Sequence, residues 1–122
     1  MKSIQTTNAN ARQYVQRRED FRASNTFAMT LPPVPECLTY RYAVFSYGEH
    51  YPLFIAEWLP EDGKVQWYVN RDNYSITTSK HRTQLHPLEA NVLPMTTDAM
   101  KTIVNYGTAG LAAMGEYNDV PF

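Results

Sequence analysis

Three runs rich in β-branched and aromatic residues follow one another closely: "LTYRYAVFSY" from Leu38, "PLFIAEWL" from Pro52 and "VQWYVN" from Val65. Parallel neighbours need a crossover of about a dozen residues. The gaps here are far shorter, so the three runs must pair antiparallel as a meander. Asp62-Gly63, in the second gap, is a strong hairpin signal because glycine supplies the positive φ that tight turns require. Alternation then divides the side chains. Leu53 and Ile55 point one way, and Phe54, Ala56 and Trp58 the other; Val65, Trp67 and Val69 oppose Gln66, Tyr68 and Asn70. Tyr40 and Tyr42 stand against Phe45 and Tyr47 in the first run. A sheet apolar on both faces needs cover on both, or keeps one face for binding. Cover from helices and the N-terminal segment is the expected arrangement.

The C-terminal third supplies such a helix. In "PMTTDAMKTIVNYGTAGLAAMG", Met100, Ile103, Val104, Gly107, Leu111 and Met114 recur at the spacing of one helical face. Thr96 or Thr97 is the expected N-cap, Asp98 suits the first turn, and the helix breaks near Gly107 or runs on to Gly115. Ahead of the meander, residues 1–30 are polar and "LPPVP" from Leu31 is a stiff connector. A short helix capped by Asn8 or Asn10 is expected there, its apolar residues Ala11, Tyr14, Val15 and Phe21 aligned only loosely because Arg18 interrupts them. The expected fold class is α+β: a small antiparallel meander of three to four strands packed with a short helix and a longer C-terminal helix. The expected division is an N-terminal arm and connector over residues 1–35, then one domain over 36–122.

Length and composition bound the rest. The chain has 122 residues, 43% hydrophobic and 19% charged, which suits one folded domain. Net charge is −1, carried unevenly: +3 over residues 1–24, −4 over 25–62, +2 over 63–89 and −2 over 90–122. The balance argues against a basic nucleic-acid coat. No run is apolar enough to span a membrane, and the first residues lack a signal-peptide core. Cys37, the single cysteine, has no internal disulfide partner and supplies no multi-cysteine metal site. A cytoplasmic protein without cofactor or metal is expected.

The stretch "YSITTSKHRTQLHP" from Tyr74 carries the sharpest functional signal. It reads as a helix with Thr77 or Thr78 as N-cap, closed by Pro87, with His81, Leu85 and Leu88 near one face and Lys80, Arg82 and Gln84 more exposed. Cations near a helix start are disfavoured by its dipole. An external anion would reconcile them, which makes Thr77, Thr78, Ser79, Lys80, His81 and Arg82 a candidate anion or partner site, against an ordinary Ser/Thr cap with incidental cations. Arg12, Arg17, Arg18 and Arg22 are candidate contacts on the arm, which otherwise is a loosely docked segment. Catalytic patterns are missing: neither G-x-x-x-x-G-K-[ST], H-E-x-x-H nor G-x-S-x-G occurs. His81 and His86 diverge on a helix, which makes them poor co-ligands.

Ser46-Tyr47-Gly48, Ile55-Ala56, the "WYVN" strand and the closing "YSITTSKH" together resemble a small domain of unknown function in proteins of tailed bacteriophages, over about residues 40–86. The resemblance implies a phage origin and a role in the host cytoplasm during infection, and no activity. Two readings follow. In the first, the protein is a non-enzymatic accessory factor that binds a host or phage protein, with inhibition of host machinery or defence as an outcome. In the second it is a nucleic-acid binding module using residues 77–82 and the basic arm. A homodimer is compatible with either.

Overall fold

The computed structural model describes residues 4–32, 39–48, 51–60, 64–72, 76–89, 91–108 and 110. The side chains of residues 76–78 lie outside that description, as do Cys37, the Asp62-Gly63 pair and residues 111–122. Among the described residues the chain forms one sheet of seven strands in chain order: β1 (Ile4–Gln5), β2 (Phe21–Arg22), β3 (Thr26–Thr30), β4 (Tyr40–Ser46), β5 (Pro52–Trp58), β6 (Val65–Asn70) and β7 (Val92–Met95). Three α-helices accompany it: α1 (Arg12–Gln16), α2 (Ile76–Leu85) and α3 (Thr97–Tyr106).

The α+β class and the meander through β4, β5 and β6 are present, but the sheet is larger than three or four strands and it is mixed. β3 to β6 pair antiparallel, whereas β1 pairs parallel with β2 and β6 parallel with β7. Each parallel pair is bridged by a crossover carrying a helix, α1 in one and α2 in the other, as parallel neighbours require. Residues 4–31, expected as an arm, thus contribute β1, β2 and β3 to the same sheet. Two-residue strands carry no periodicity from which to read them.

The two faces hold separate cores. One gathers Ala11, Val15, Phe21, Tyr42, Val44, Phe54, Ala56, Trp67 and Leu85 beneath α1 and α2. The other gathers Ala43, Phe45, Ile55 and Tyr68 with Met100 and Ile103 of α3. Fully burying a large apolar side chain is worth roughly 1.5–3 kcal/mol, so each layer is firmly seated. Leu53 departs from the expected alternation and joins Phe54 in the first core. The ladder explains this: Val44 faces Phe54 and Phe45 faces Pro52, leaving Leu53 unopposed in a bulge.

Among the described residues β7 is an edge of the sheet, and that edge is blunted. Arg71 N–H donates to the Met95 carbonyl at 2.8 Å, so that carbonyl faces β6. By alternation Pro94 presents its edge outward, where its missing N–H denies a donor to any added strand.

The helix ends explain their lengths. The Thr96 side chain accepts from Ala99 N–H at 3.2 Å, Asp98 lies in the first turn, and α3 ends at Gly107, whose φ of 74° favours glycine. Arg41, buried on β4, donates to the Ile103 carbonyl at 2.9 Å, to the Val104 carbonyl and to the Pro32 carbonyl at 2.7 Å. A cation at the negative end of α3 is favourable twice over, through the dipole and through its hydrogen bonds to carbonyls of the last turn.

Candidate functional site

The helix expected to open at Thr77 or Thr78 begins instead at Ile76, so both threonines lie inside it. Lys80, His81 and Arg82 therefore fall beyond the first turn, and Arg82 sits in the last, where the dipole favours a cation. Their side chains part company. Lys80 is exposed. Arg82 donates to the Asp72 carbonyl at 3.3 Å and hydrogen-bonds the Tyr51 hydroxyl. His81 is buried against the sheet with Leu85, while Leu88, beyond the helix end, is exposed rather than sharing their face.

His81 is the centre of a hydrogen-bonded chain. Its Nδ1 lies 2.9 Å from Ser46 Oγ and its Nε2 lies 3.3 Å from Asn8 Nδ2. Asn8 Oδ1 in turn accepts from Thr26 Oγ1 at 2.8 Å. With Oδ1 taken by Thr26, Asn8 donates its amide hydrogen to Nε2, which fixes the imidazole proton on Nδ1 and directs it to Ser46. Burial, with Lys80 adding, holds the His81 pKa below its ordinary value. A serine, a histidine and an asparagine in line suggest a nucleophile, but Ser46 is 1% exposed and its oxygen accepts a hydrogen bond from the histidine's Nδ1–H. The chain fastens α2 and the turn at Asn8–Asn10 to β3 and β4. Among the described residues, no three His, Cys, Asp or Glu side chains are placed to hold a metal ion, and no helix is long and apolar enough to cross a membrane.

The four arm arginines are distributed over the domain. Arg12 donates to the Thr83 carbonyl at 2.6 Å, capping the last turn of α2. Arg17 pairs with Glu19 at 2.6 Å and stacks on Tyr14. Arg22 lies over Phe27 at 5.1 Å. Arg18 lies over the Trp58 ring at 4.7 Å.

That last contact belongs to the clearest exposed feature. Tyr40 and Trp58 are cross-strand partners on β4 and β5, edge to face at 5.9 Å, and Val65 of β6 faces Trp58 in the next register. Tyr40 is 52% exposed, and Trp58 and Val65 are half-buried. Arg18 reaches this ledge from a strained backbone. α1 ends in a Schellman motif, with Arg18 N–H on the Val15 carbonyl at 3.0 Å and Glu19 N–H on the Tyr14 carbonyl at 2.9 Å. The motif puts Arg18 at φ 56°, the position that glycine normally fills. A non-glycine residue there costs about 1–2 kcal/mol.

No family model matches the chain, and no curated protein or solved structure matches it either.

The ledge escaped sequence reading because alternation assigns Tyr40 and Trp58 to a core face without saying where cover ends. The available signal was Arg18 itself, an arginine interrupting an otherwise apolar helical stripe. Asn8, Thr26 and Ser46 gave no signal, because only the fold brings them to His81.

Proposed function

We propose that the protein is a non-enzymatic, phage-encoded accessory factor that acts by binding a host or phage protein through the Tyr40–Trp58–Arg18 ledge. Inhibition of host machinery or defence is the outcome such binding would serve. The phage origin rests on the resemblance over residues 40–86. The reading as a protein binder is carried by Arg18: its left-handed backbone carries a cost that glycine would avoid, and what is gained is a guanidinium over a half-buried tryptophan beside an exposed tyrosine. Trp, Tyr and Arg are the residues that dominate binding energy at protein interfaces. Nucleic-acid binding through residues 77–82 and the arm has less support, because Arg12 and Arg82 donate to carbonyls and Arg17 is paired with Glu19.

The test is retention of a partner from nuclease-treated bacterial lysate by wild type and by Arg18→Gly, Tyr40→Ala and Trp58→Ala. A stoichiometric protein held by wild type and lost from all three variants is expected. Arg18→Gly should fold with stability within about 1 kcal/mol of wild type, because relief of strain offsets the lost cation–π contact. A partner retained equally by all four proteins would overturn the assignment.

A further inference from the structure

The residues from Asn8 to Arg18 form one continuous hydrogen-bonded rod. Ala11 N–H donates to the Asn8 carbonyl at 3.4 Å, Val15 N–H to the Ala11 carbonyl at 3.1 Å and Arg18 N–H to the Val15 carbonyl at 3.0 Å. The rod carries Asn8, the partner of His81, at one end and Arg18, the cation over Trp58, at the other. Side chains fasten it along α2 at three stations. Asn8 Nδ2 lies 3.3 Å from His81 Nε2, Arg12 donates to the Thr83 carbonyl, and Gln16 accepts from Leu88 N–H and donates to the Glu89 carboxylate, both at 2.7 Å. The second and third stations are open to solvent, where water competes for the same groups. The first is partly buried and continues into the line through Thr26 and Ser46, so its loss weakens the rod's attachment most.

That first station holds the histidine. Around the imidazole the Asn8 turn supplies an amide, β4 the Ser46 hydroxyl, the residue after β4 the Tyr47 ring with centroids 5.4 Å apart, and α2 the Lys80 cation. No carboxylate pairs with it among the described residues. A proton gained on Nε2 therefore meets the Asn8 amide as donor against donor. Turning that amide over would present Oδ1 to the imidazolium, but would take from Thr26, 1% exposed, the acceptor of its hydroxyl hydrogen. Either arrangement leaves a buried hydrogen short of a partner. Protons favour the state that binds them more tightly, and burial with Lys80 lowers the pKa of docked His81. Each pH unit of that depression makes the released rod about tenfold more populated in acid than at neutral pH.

We propose that His81 is an acid-sensitive switch for the ledge: protonation at Nε2 releases the Asn8 turn, and the rod that ends in Arg18 lifts from Trp58. The inference rests on the reading of the ledge as a binding site and adds its regulation.

The experiment is fluorine NMR of the full chain labelled with 5-fluorotryptophan, from about pH 7.5 to about pH 4.5. Trp58 and Trp67 are the two tryptophans, and Trp58→Phe assigns their resonances. The Trp58 resonance should move in one step below pH 6.5, towards its position in Arg18→Gly, while that of buried Trp67 stays and reports an intact fold. His81→Gln, which stays neutral, should abolish the step. Asn8→Asp should abolish it too, because a carboxylate accepts from both Thr26 and the imidazolium and keeps the rod docked. Glu89→Gln should leave the step unchanged. A stationary Trp58 resonance, a step that survives His81→Gln and Asn8→Asp, or both tryptophans moving together would overturn the switch. Asn8→Asp keeps the test decisive should His81→Gln fail to fold. The readout needs no partner, so a ledge that retains nothing from lysate is distinguished from a switch that fails.

Discussion

On one face of the sheet, α2 is fastened by neutral groups: Thr26, Asn8, His81 and Ser46 hand hydrogen bonds along a line, and Arg12 caps the last turn of the helix from a half-buried position. On the other, α3 is fastened by charge. Arg41, buried, holds the carbonyls at the end of α3. Glu57, its register partner on β5 and equally buried, accepts from the Thr39 hydroxyl and from Thr108 N–H at 3.3 Å. The same task, ending a helix against a sheet, is solved once with neutral dipoles and a peripheral cation, and once with two buried ions. The difference teaches where each layer is vulnerable. A neutral chain fails when one member becomes charged. A helix end held by buried charged side chains fails when one of them is removed.

The largest effect should therefore come from the charged side. Arg41→Ala strips the cap from α3 and leaves Glu57 without the opposite charge of its register partner. Breaking a buried charged arrangement costs about 3–5 kcal/mol, so urea denaturation should show a loss of that order. A loss under about 1 kcal/mol would mean that α3 is held by its apolar face alone.

The neutral side should respond to acid. His81 has a folded-state pKa below its unfolded value of 6.5, because burial and Lys80 disfavour the imidazolium. Its contribution is then full above 6.5 and is lost as pH falls through the depressed value. The structural event is a second N–H on Nε2 confronting the Asn8 amide, two donors face to face. His81→Leu should cost about 1–3 kcal/mol at neutral pH by leaving Asn8 and Ser46 short of a partner. It should also flatten the stability profile between pH 6.5 and the depressed value. An unchanged profile would place the acid sensitivity elsewhere.

Two smaller effects sharpen the contrast. Arg12→Ala, at a half-buried cap, should cost only about 1 kcal/mol, well short of Arg41→Ala. Tyr68 has a hydroxyl with no hydrogen-bond partner among the described residues, and burial with the nearby Glu57 pushes its pKa up. Tyr68→Phe removes that buried polar atom and should leave stability unchanged or raise it by up to about 1 kcal/mol. A loss instead would show that the hydroxyl belongs to the charged arrangement around Glu57.

What the sequence showed follows the same physics. β4, β5 and β6 were legible because long alternating runs carry a period of two. The start and break of α3 were legible because Thr96, Asp98 and Gly107 act locally on the backbone. β1 and β2 were not, since two residues have no period and their pairing depends on the crossover between them. β7 was hidden by Pro94, which normally argues against a strand and is tolerated here by pointing outward. Leu53 was assigned to the wrong face because a bulge shifts the alternation by one residue. The stretch from Thr77 to Arg82 drew attention for cations near a helix start, yet the helix opens earlier and His81 turns inward, which periodicity could suggest but not distinguish from a ligand. The ledge depends on where cover stops, a property of the whole fold.

The most direct test of the binding claim compares two exposed tyrosines on opposite sides of the molecule, Tyr40 on the ledge and Tyr106 on α3, 52% and 62% exposed. A photoreactive benzophenone amino acid placed at either position, followed by irradiation of the expressing bacterial cells, reads contact with a partner at similar solvent access. The account predicts one discrete protein adduct from position 40 and none from position 106. No adduct at position 40, or the same adducts from both, would contradict it.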